Sequence, residues 1–546
     1  MQRKALLSIS LGLALGLGSL TGHAAAQCAN PSSGPDVIVG DVSGCSTYGT
    51  VGGISAYSLG TTSCNIGDQE LNWISNNPNH PVIGQNIFRL NDGRFEQIGQ
   101  SWLKHGFTAL QQNLCCSCQS SGTGARLGVG CSDPYGSGLN GSQSGLGPRS
   151  EVNAYTGAYL YPYTAQGSSG NSIYKRAQVL RDNVDPALYP NALYFGDAQY
   201  VAPDDAAAGN GHNNVSWRVL NRPGTQTSGS FTLTTSGATH RMEPAIFAWK
   251  NAIPSVDIQL VDIPNEGRIW VASNCFQGAN GTFRYEYAVY NVTSHRSVRS
   301  FNVPIGPGAA VLNQGVSFPM SHSGEPFSNA GWVTTNLGTS ADWATDTFAT
   351  DPNANAIRWG TMYTFWFEST NAPEVKTATL GLFRPGAQAD PTVSVCGPVG
   401  GNPVPVASNY CTAAINSTGA TGAISAQNID MMARTMELAG ANLPTNAFAF
   451  SIASLDQAFV ANPGGSTGNI CVGGSVGRVV GGTILNTGAT GTLTESVSLD
   501  SIPQPMGTVA IGSGETWNFQ FWHRDVILGL NLPTSNFTNG VRIWFP

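Results

Sequence analysis

Charged side chains are scarce in this sequence of 546 residues. Only 10% of the residues are charged, against about 25% in an average soluble domain. The net charge is −7 and lysines and arginines form no cluster, which argues against nucleic acid as a partner, because nucleic acid requires a basic surface. The hydroxyl, amide and aromatic groups that remain suit an uncharged polymer such as an extracellular polysaccharide, and suit an inert extracellular surface equally well.

Long apolar runs are absent beyond the N-terminus. Arg3 and Lys4 precede an apolar segment, 5–20, and a small-residue stretch, 24–26, which is the pattern of a signal peptide cleaved before Gln27. No later segment reaches the roughly 20 apolar residues that span a bilayer. The sequence therefore predicts a signal peptide over 1–26 and an exported protein, secreted or at the cell surface, without membrane insertion.

Several motifs that identify metal and nucleotide enzymes are also missing. The sequence contains no His-Glu-x-x-His zinc helix, no phosphate loop and no EF-hand calcium loop. The cysteines lack the paired spacing of a zinc site, and no haem-attachment sequence occurs. We therefore predict no cofactor and no bound metal.

The 11 cysteines predict disulfide bonds in an oxidising compartment. Seven of them lie between Cys28 and Cys131. Cys411 and Cys471 are the only cysteines of the C-terminal region, so we expect them to pair. The odd total leaves one thiol that is free, modified or paired with another chain.

Alternating apolar and polar residues predict a mainly β protein. Trp517, Phe519 and Phe521 alternate with polar residues, as strands do. We predict a cysteine-rich N-terminal domain, α+β or β, over 27–225, followed by a β-sandwich over 226–384. A proline-rich linker, 385–409, then leads to a second β-sandwich, 410–546, and both sandwiches are expected to be immunoglobulin-like in architecture.

One helix is predicted in the N-terminal domain, over 94–107. Phe95, Ile98 and Trp102 have helical spacing, Asp92-Gly93 precedes them and Gly106 provides a stop.

Three long segments carry a resemblance to a known group of proteins. They are HPVIGQNIFRLNDGRFEQIGQSWLKHGF, RYEYAVYNVTSHRSVRSFNVPI and ICVGGSVGRVV with the following GETWNFQFWHRD. In these segments the chain resembles uncharacterised secreted multi-module β-sandwich proteins of environmental bacteria. The resemblance implies export and a modular β architecture, and it implies no activity.

The candidate catalytic residues are concentrated in the N-terminal domain. On the predicted helix, Glu96 and Lys104 form one polar stripe and His105 lies on the adjacent one, so a carboxylate, an amine and an imidazole could transfer protons in a cleft. The alternative is that they are solvated helix-face residues. Further candidates lie in loops at three places: His80, then Arg149 and Glu151, and then Asp204, Asp205 and His212.

These residue types fit two reactions on polysaccharides. An arginine that binds a uronate carboxylate, with histidine or lysine as base and tyrosine as acid, is the chemistry of a lyase. Two carboxylates would suit a glycoside hydrolase. The sequence predicts a polysaccharide-active enzyme, lyase or hydrolase, with accessory sandwiches, but does not decide whether the protein is an enzyme.

Two other functions remain open at this stage. The first is a non-catalytic protein for cell-surface or matrix adhesion or for glycan binding. For it, the sandwich aromatics Tyr290, Trp366, Trp522 and Trp544 could form a glycan-binding face, although packing against a neighbouring domain is the other explanation. The second is a metal-dependent oxidase, which would draw on His80, His105, His212 and His240.

Overall fold

The computed structural model describes residues 28–278, 282–400, 406–431, 433–479, 485–512 and 514–545. The predicted signal peptide, 1–26, lies outside them. Among the described residues, strand accounts for 49% and helix for 6%, which confirms the prediction of a mainly β protein. In the described part of the chain, no helix has the length and apolar character needed to cross a membrane.

The regular secondary structure of the N-terminal domain is almost entirely strand. They are β1 (Val37–Thr47), β2 (Ile54–Asn65), β3 (Leu71–Asn72), β4 (Val82–Asn91), β5 (Arg94–Gln100), β6 (Leu103–His105), β7 (Arg126–Leu127), β8 (Ser132–Tyr135), β9 (Leu146–Gly147), β10 (Ala177–Leu180), β11 (Leu193–Val201), β12 (Val215–Asn221), β13 (Gln226–Thr227), β14 (Ser230–Phe231) and β15 (Thr234–His240). Two short helices, α1 (Ser137–Asn140) and α2 (Pro203–Ala207), lie in loops.

One 11-stranded antiparallel sheet organises this domain, with the main order β1-β2-β10-β5-β4-β11-β12-β15. Side-chain hydrogen bonds connect β1 to the far end of the order. The Val42 N–H donates to Thr239 Oγ1 (3.0 Å) and Ser216 Oγ donates to the Val39 carbonyl (2.6 Å). The sheet therefore curls on itself and encloses one core, which includes Tyr57, Leu59, Trp73, Ile87, Ile98 and Tyr200.

The helix predicted over 94–107 is wrong, because this segment forms β5 and β6. Asp92 and Gly93 both have positive φ, 48° and 80°, which is the geometry of a two-residue hairpin turn. Phe95 packs into the interface with the next domain, and Ile98 packs into the N-terminal core. A strand that is apolar on both faces imitates helical spacing, so the apolar period alone could not separate the two structures.

The first β-sandwich follows, and its strands form two five-stranded sheets. One has the order β16-β17-β18-β23-β20 and the other β21-β22-β19-β24-β25, where the strands are β16 (Asp257–Ile263), β17 (Gly267–Gln277), β18 (Phe283–Asn291), β19 (Val298–Pro304), β20 (Leu312–Ser317), β21 (Val333–Asn336), β22 (Ser340–Ala344), β23 (Thr361–Ser369), β24 (Pro373–Leu382) and β25 (Thr392–Pro398). The core between the sheets is rich in aromatic rings, among them Tyr287, Phe301, Trp343 and Phe365.

Both predicted limits of this sandwich differ from the structure. β15 pairs with β12 of the N-terminal sheet, so the N-terminal domain continues past residue 225. At the other end, β25 pairs with β24 and contributes Val393 and Val395 to the core. The predicted linker, 385–409, therefore contains an edge strand, and prolines at its ends are compatible with that position.

The N-terminal domain and the first sandwich share a buried interface. Helix α3 (Ile246–Ala252) lies in it. Arg94 forms an ion pair with Glu286 at 2.8 Å, and the Glu286 side chain is 1% exposed. The Tyr290 hydroxyl donates to Asp197 across the interface (2.8 Å). The two domains therefore form one packed unit, whose shared apolar cluster includes Phe88, Phe95, Trp217, Trp249 and Met362.

The C-terminal domain is a second sandwich. A seven-stranded sheet, β26-β39-β37-β29-β32 with β33 and β38 attached, packs against the sheet β27-β28-β34. The strands of the domain are β26 (Val406–Tyr410), β27 (Ala423–Asp430), β28 (Thr435–Ala441), β29 (Phe448–Ser454), β30 (Asp456–Ala461), β31 (Asn469–Gly473), β32 (Gly477–Val479), β33 (Leu485–Asn486), β34 (Leu493–Ser498), β35 (Ile502–Gln504), β36 (Gly507–Val509), β37 (Thr516–Val526), β38 (Pro533–Phe537) and β39 (Gly540–Trp544). Trp517, Phe519 and Phe521 are buried as their alternation predicts.

Disulfide bonds occur in all three domains. The Cys411–Cys471 bond confirms the predicted pair. Cys275–Cys396 joins β17 to β25 and thereby the two sheets of the first sandwich. The N-terminal domain holds three more bonds, Cys28–Cys116, Cys64–Cys115 and Cys118–Cys131.

Cys45 is the free thiol, and its reactivity is a first testable prediction. Burial raises the pKa of this thiol to about 12, and the thiolate is the nucleophile. We expect a thiol reagent to modify one cysteine per chain in denaturant without reductant, and to react much more slowly with the folded protein. Two or more reactive thiols would contradict the disulfide pattern.

Candidate functional site

Three predicted catalytic residues, His80, Lys104 and His105, come together inside the N-terminal domain. Lys104 and His105 lie on β6, which pairs with the start of β4, and His80 lies just before β4. His80 Nε2 and His105 Nδ1 are 2.9 Å apart. His80 is fully buried and His105 is 5% exposed, so this cluster lies in the interior and not on an open cleft.

The proton positions of the histidine pair follow from its partners. His80 Nδ1 lies 3.0 Å from the Ile74 carbonyl oxygen, which can only accept a hydrogen bond. The proton of His80 is therefore on Nδ1, and its Nε2 accepts from His105 Nδ1–H. Burial lowers the pKa of both imidazoles, that of His105 to about 2 with further contributions from His80 and Lys104. Both rings are neutral at neutral pH, and His105 Nε2 is the unprotonated nitrogen.

The Lys104 amine has no hydrogen-bond acceptor among the described residues. Lys104 is 6% exposed, and its Nζ lies 5.0 Å from the centre of the Phe107 ring. Burial lowers the pKa of this amine to about 8, so it loses its proton close to neutral pH. Lys175, by contrast, donates to three carbonyl oxygens, those of Gln143, Ala165 and Ser168.

Three tyrosines that the sequence analysis overlooked surround the histidines. The Tyr163 ring stacks on His105 with centres 3.7 Å apart. Tyr159 donates its hydroxyl proton to the His80 carbonyl (2.5 Å), and the Tyr161 ring lies 5.9 Å from His80. Burial raises the pKa of Tyr163 to about 12, so it stays a phenol. Their Tyr-x-Tyr-x-Tyr spacing was the available signal.

Arg149 lies apart from this cluster, at the junction with the first sandwich. Its Nε donates to the Ser101 carbonyl (2.7 Å) and its Nη1 to the Gly360 carbonyl (3.1 Å). Its Nη2 donates to the Gln85 carbonyl (3.0 Å) and to Asn86 Oδ1 (2.9 Å). All three guanidinium nitrogens of Arg149 donate to internal acceptors. Arg149 therefore has few N–H groups left to bind a uronate carboxylate, and the contacts it makes connect parts of the protein.

The two predicted carboxylates, Glu96 and Glu151, have separate partners and are not in contact with each other. Glu96 forms an ion pair with Arg89 at 2.5 Å on neighbouring strands. Glu151 accepts a hydrogen bond from the Thr164 N–H at 3.1 Å. Glu151 thus holds the loop that carries Tyr163, and the structure offers no pair of carboxylates in these positions for a glycoside hydrolase.

The remaining candidates are dispersed. His240 stacks on Trp217 with ring centres 3.9 Å apart, and His212 lies near Tyr155. Within the described ranges, no group of three or more metal-ligating side chains occurs. Asp205 is buried beside Asp204 and accepts from the Val37 N–H (2.9 Å).

Asp205 leads to a prediction on pH. Burial raises its pKa from 3.8 to about 8, so the folded protein binds this proton more tightly than the unfolded chain. The resulting stability is complete below pH 4 and is lost as the pH rises towards 8, by at most about 1.4 kcal/mol per pH unit. We expect Asp205→Asn to lose less stability than the wild type between pH 5 and pH 8, measured by denaturant unfolding. If the unfolding free energy fell equally with pH in the wild type and in Asp205→Asn, the raised pKa of Asp205 would be contradicted.

Two Gly-x-Ser-x-Gly strings, at 464–468 and 473–477, were a further signal that the sequence analysis missed. A nucleophile elbow needs a turn from strand to helix. Ser466 instead lies in a hairpin turn between β30 and β31 and donates to the Ser535 carbonyl (2.7 Å), and Ser475 lies between strands β31 and β32. Neither serine is in the setting of a hydrolase nucleophile.

A second candidate site is an aromatic groove on the C-terminal sandwich. It has a volume of about 660 Å³. Phe450 on β29 and Trp522 on β37 stack in it with ring centres 4.7 Å apart. The Arg478 guanidinium lies 3.9 Å from the Phe450 ring centre, and that of Arg524 lies 5.5 Å from the Trp522 ring centre. Phe448, at the end of the groove, is 55% exposed.

Trp522 is the one of the four sandwich aromatics that lines this groove. Tyr290 is buried against the N-terminal domain, and Trp366 lies under the Arg94 guanidinium, 3.6 Å from its ring centre. Trp544 is 8% exposed. Packing, rather than an open glycan-binding face, therefore accounts for Tyr290 and Trp366.

Comparisons with known proteins identify no family. No protein-family model matches the chain, and no curated protein is significantly similar to it. Domains D2 and D3 of the major pilin SpaD from Corynebacterium diphtheriae are 10% identical over 52% of this chain and 88% of that one, with a TM-score of 0.19. The full-length major pilin RrgB from Streptococcus pneumoniae is 10% identical over 71% of this chain and 58% of that one (TM-score 0.16). The B domain of a biofilm-associated protein is 7% identical over 50% and 85% (TM-score 0.13). TM-scores this low support no argument, and the assignment as a mainly β protein rests on the sheets themselves.

Proposed function

We propose that the protein is a non-catalytic extracellular or cell-surface protein that binds glycans through the groove of its C-terminal sandwich. The observation that carries the proposal is the stacked pair of Phe450 and Trp522 in an open groove of about 660 Å³. Aromatic faces stack on the apolar faces of sugar rings, and a pocket of several hundred cubic ångströms accommodates a small ligand or a few sugar units.

The burial and the internal partners of the predicted catalytic residues support a non-catalytic role. Arg149 and Glu96 are engaged by internal partners, and the histidine pair is neutral and buried. An enzyme that cleaves a polymer needs its acid and base on a surface that the polymer can reach.

The covalent construction of the chain supports an extracellular location. Five disulfide bonds join described residues, and each domain contains at least one of them. Disulfides persist in oxidising compartments. Sandwiches braced in this way are stable modules that can present a binding surface away from the cell.

A polysaccharide-active enzyme is the second candidate function. The observations that favour it are the Lys104 amine, which has a pKa of about 8 and no acceptor among the described residues, and the unprotonated Nε2 of the next residue, His105. With Tyr163 as a phenolic acid, these groups have the chemistry of a lyase. This site would require an opening of the N-terminal domain to admit substrate.

Binding and turnover separate the two candidates. We expect the purified protein to be retained by an immobilised polysaccharide without releasing oligosaccharides. We expect Trp522→Ala to weaken retention at least tenfold, as the loss of an anchoring aromatic does, with the circular dichroism spectrum as the control for folding. Release of unsaturated sugars, abolished in Lys104→Ala, would support the lyase and contradict the non-catalytic role.

A further inference from the structure

The C-terminal groove carries positive charge in an acidic protein. Among the described residues that line it, the only charged ones are Arg478 and Arg524, whereas the whole chain has a net charge of −7. Each guanidinium lies beside one of the two stacked rings, Phe450 and Trp522. The groove therefore holds two aromatic rings that stack on each other, with a guanidinium over each.

Both guanidiniums are free to bind an anion. Neither Arg478 nor Arg524 forms an ion pair within the described ranges, whereas Arg434 of the same domain pairs with Asp500 at 2.8 Å. Both are exposed, so binding an anion there costs little desolvation. An arginine can donate two parallel N–H groups to one carboxylate, a geometry that fixes the orientation of the bound group.

The neighbouring acid, Asp525, does not neutralise this charge from within the groove. Its carboxylate accepts from the Ser417 N–H (3.1 Å) and from Asn536 (3.3 Å), and Asp525 is 7% exposed. Because successive residues of a strand point to opposite faces of the sheet, Asp525 and Arg524 lie on opposite sides of β37. The positive charge is thus confined to the face that carries the aromatic rings.

We propose that the ligand of this groove is an acidic polysaccharide whose sugar rings carry carboxylates. The proposal rests on glycan binding by the groove, and it names the class of glycan. The half-exposed Trp522 ring would contact a sugar unit, and Arg478 and Arg524 would each bind a carboxylate.

The rest of the lining favours a charged sugar over a neutral one. Neutral sugars are held by hydrogen bonds in which their hydroxyl groups donate to carboxylates and exchange donors and acceptors with amide side chains. Apart from the two arginines, the described lining residues are apolar or glycine. A neutral polymer would find ring faces here but few side-chain partners for its hydroxyls.

The test measures binding of the full chain to three soluble polymers of similar length: polygalacturonate, dextran and dextran sulfate. We expect polygalacturonate to bind in low salt and dextran not to bind. We expect Arg478→Gln and Arg524→Gln each to weaken binding about tenfold, the change that corresponds to one charge-assisted contact. Raising the salt to 0.5 M should weaken the wild-type complex, because exposed charges are screened.

Arg542→Gln is the matched control. Arg542 lies on β39 of the same sheet and does not line the groove, and its replacement removes the same charge. We therefore expect the affinity of this variant for polygalacturonate to stay within twofold of that of the wild type. An equal loss in the three variants would show a general charge effect and overturn the site.

The outcomes also separate this inference from the proposed function. Binding of dextran as tightly as polygalacturonate, with sensitivity to Trp522→Ala, would keep glycan binding and overturn the acidic ligand. Binding of dextran sulfate alone would show an anion site that does not recognise carboxylates and would overturn the inference. Binding of none of the polymers would contradict both proposals.

Discussion

Replacing Arg149 by methionine is expected to lower the free energy of unfolding by about 3–5 kcal/mol, because each buried acceptor left without its donor costs about 1–3 kcal/mol. The guanidinium donates to carbonyl oxygens on both sides of the interface between the N-terminal domain and the first sandwich, and Arg149 is 6% exposed. Its removal leaves the Ser101, Gln85 and Gly360 carbonyls without these donors. The effect is measured by denaturant unfolding, followed by tryptophan fluorescence.

Arg126→Met provides the control for Arg149. Arg126 is exposed and pairs with Glu70 at 3.0 Å, and exposed pairs contribute about 0–1 kcal/mol. Arg149→Lys should be nearly as unstable as Arg149→Met, since one ammonium group cannot reach acceptors that are arranged around a planar guanidinium. Unchanged stability in Arg149→Met would contradict the structural role and return Arg149 to the candidates for substrate binding.

Replacing Lys104 by methionine is expected to raise the stability at pH 7, on the order of 3 kcal/mol. The pKa of Lys104 is lowered from 10.5 to about 8 by burial, so the folded state disfavours the ammonium. Below pH 8 both states carry the charge and the whole penalty applies; it fades as the pH rises from 8 towards 10.5. Methionine has a similar length and no charge.

Lys250→Met is the comparison for Lys104. Lys250 is exposed on helix α3, so its replacement should change the stability by less than about 0.5 kcal/mol. The decisive measurement is the difference in unfolding free energy between pH 7 and pH 10, which should shrink in Lys104→Met and persist in Lys250→Met. A loss of stability in Lys104→Met would show that the ammonium has a partner in solution.

The sequence predicted the architecture of the sandwiches well because their strands are buried on one face. Trp517, Phe519 and Phe521 alternate with polar residues and face one core, and the period of two is then unambiguous. Strand β5 was assigned wrongly because it is buried on both faces, by its own core and by the next domain. That second contact depends on tertiary structure, which local spacing does not contain.

In the candidate sites, too, the sequence identified single residues but not the contacts between them. His80 and His105, 25 residues apart, were named separately, but their hydrogen bond depends on the pairing of β4 with β6. Trp522 was named from its strand, whereas its stacking partner Phe450 lies on a neighbouring strand, β29, that is distant in sequence. Pairs across strands form only when the sheet order is known, so the groove could not be assembled from the sequence.

The central claim is that the protein binds a glycan through its C-terminal groove and does not cleave it. The most direct measurement follows retention of the protein by polygalacturonate and absorbance from new double bonds in the same sample, for the wild type, Trp522→Ala and His105→Ala. The account predicts retention that is lost in Trp522→Ala and kept in His105→Ala, with no rise in absorbance. A rise in absorbance that disappears in His105→Ala, with retention independent of Trp522, would contradict it.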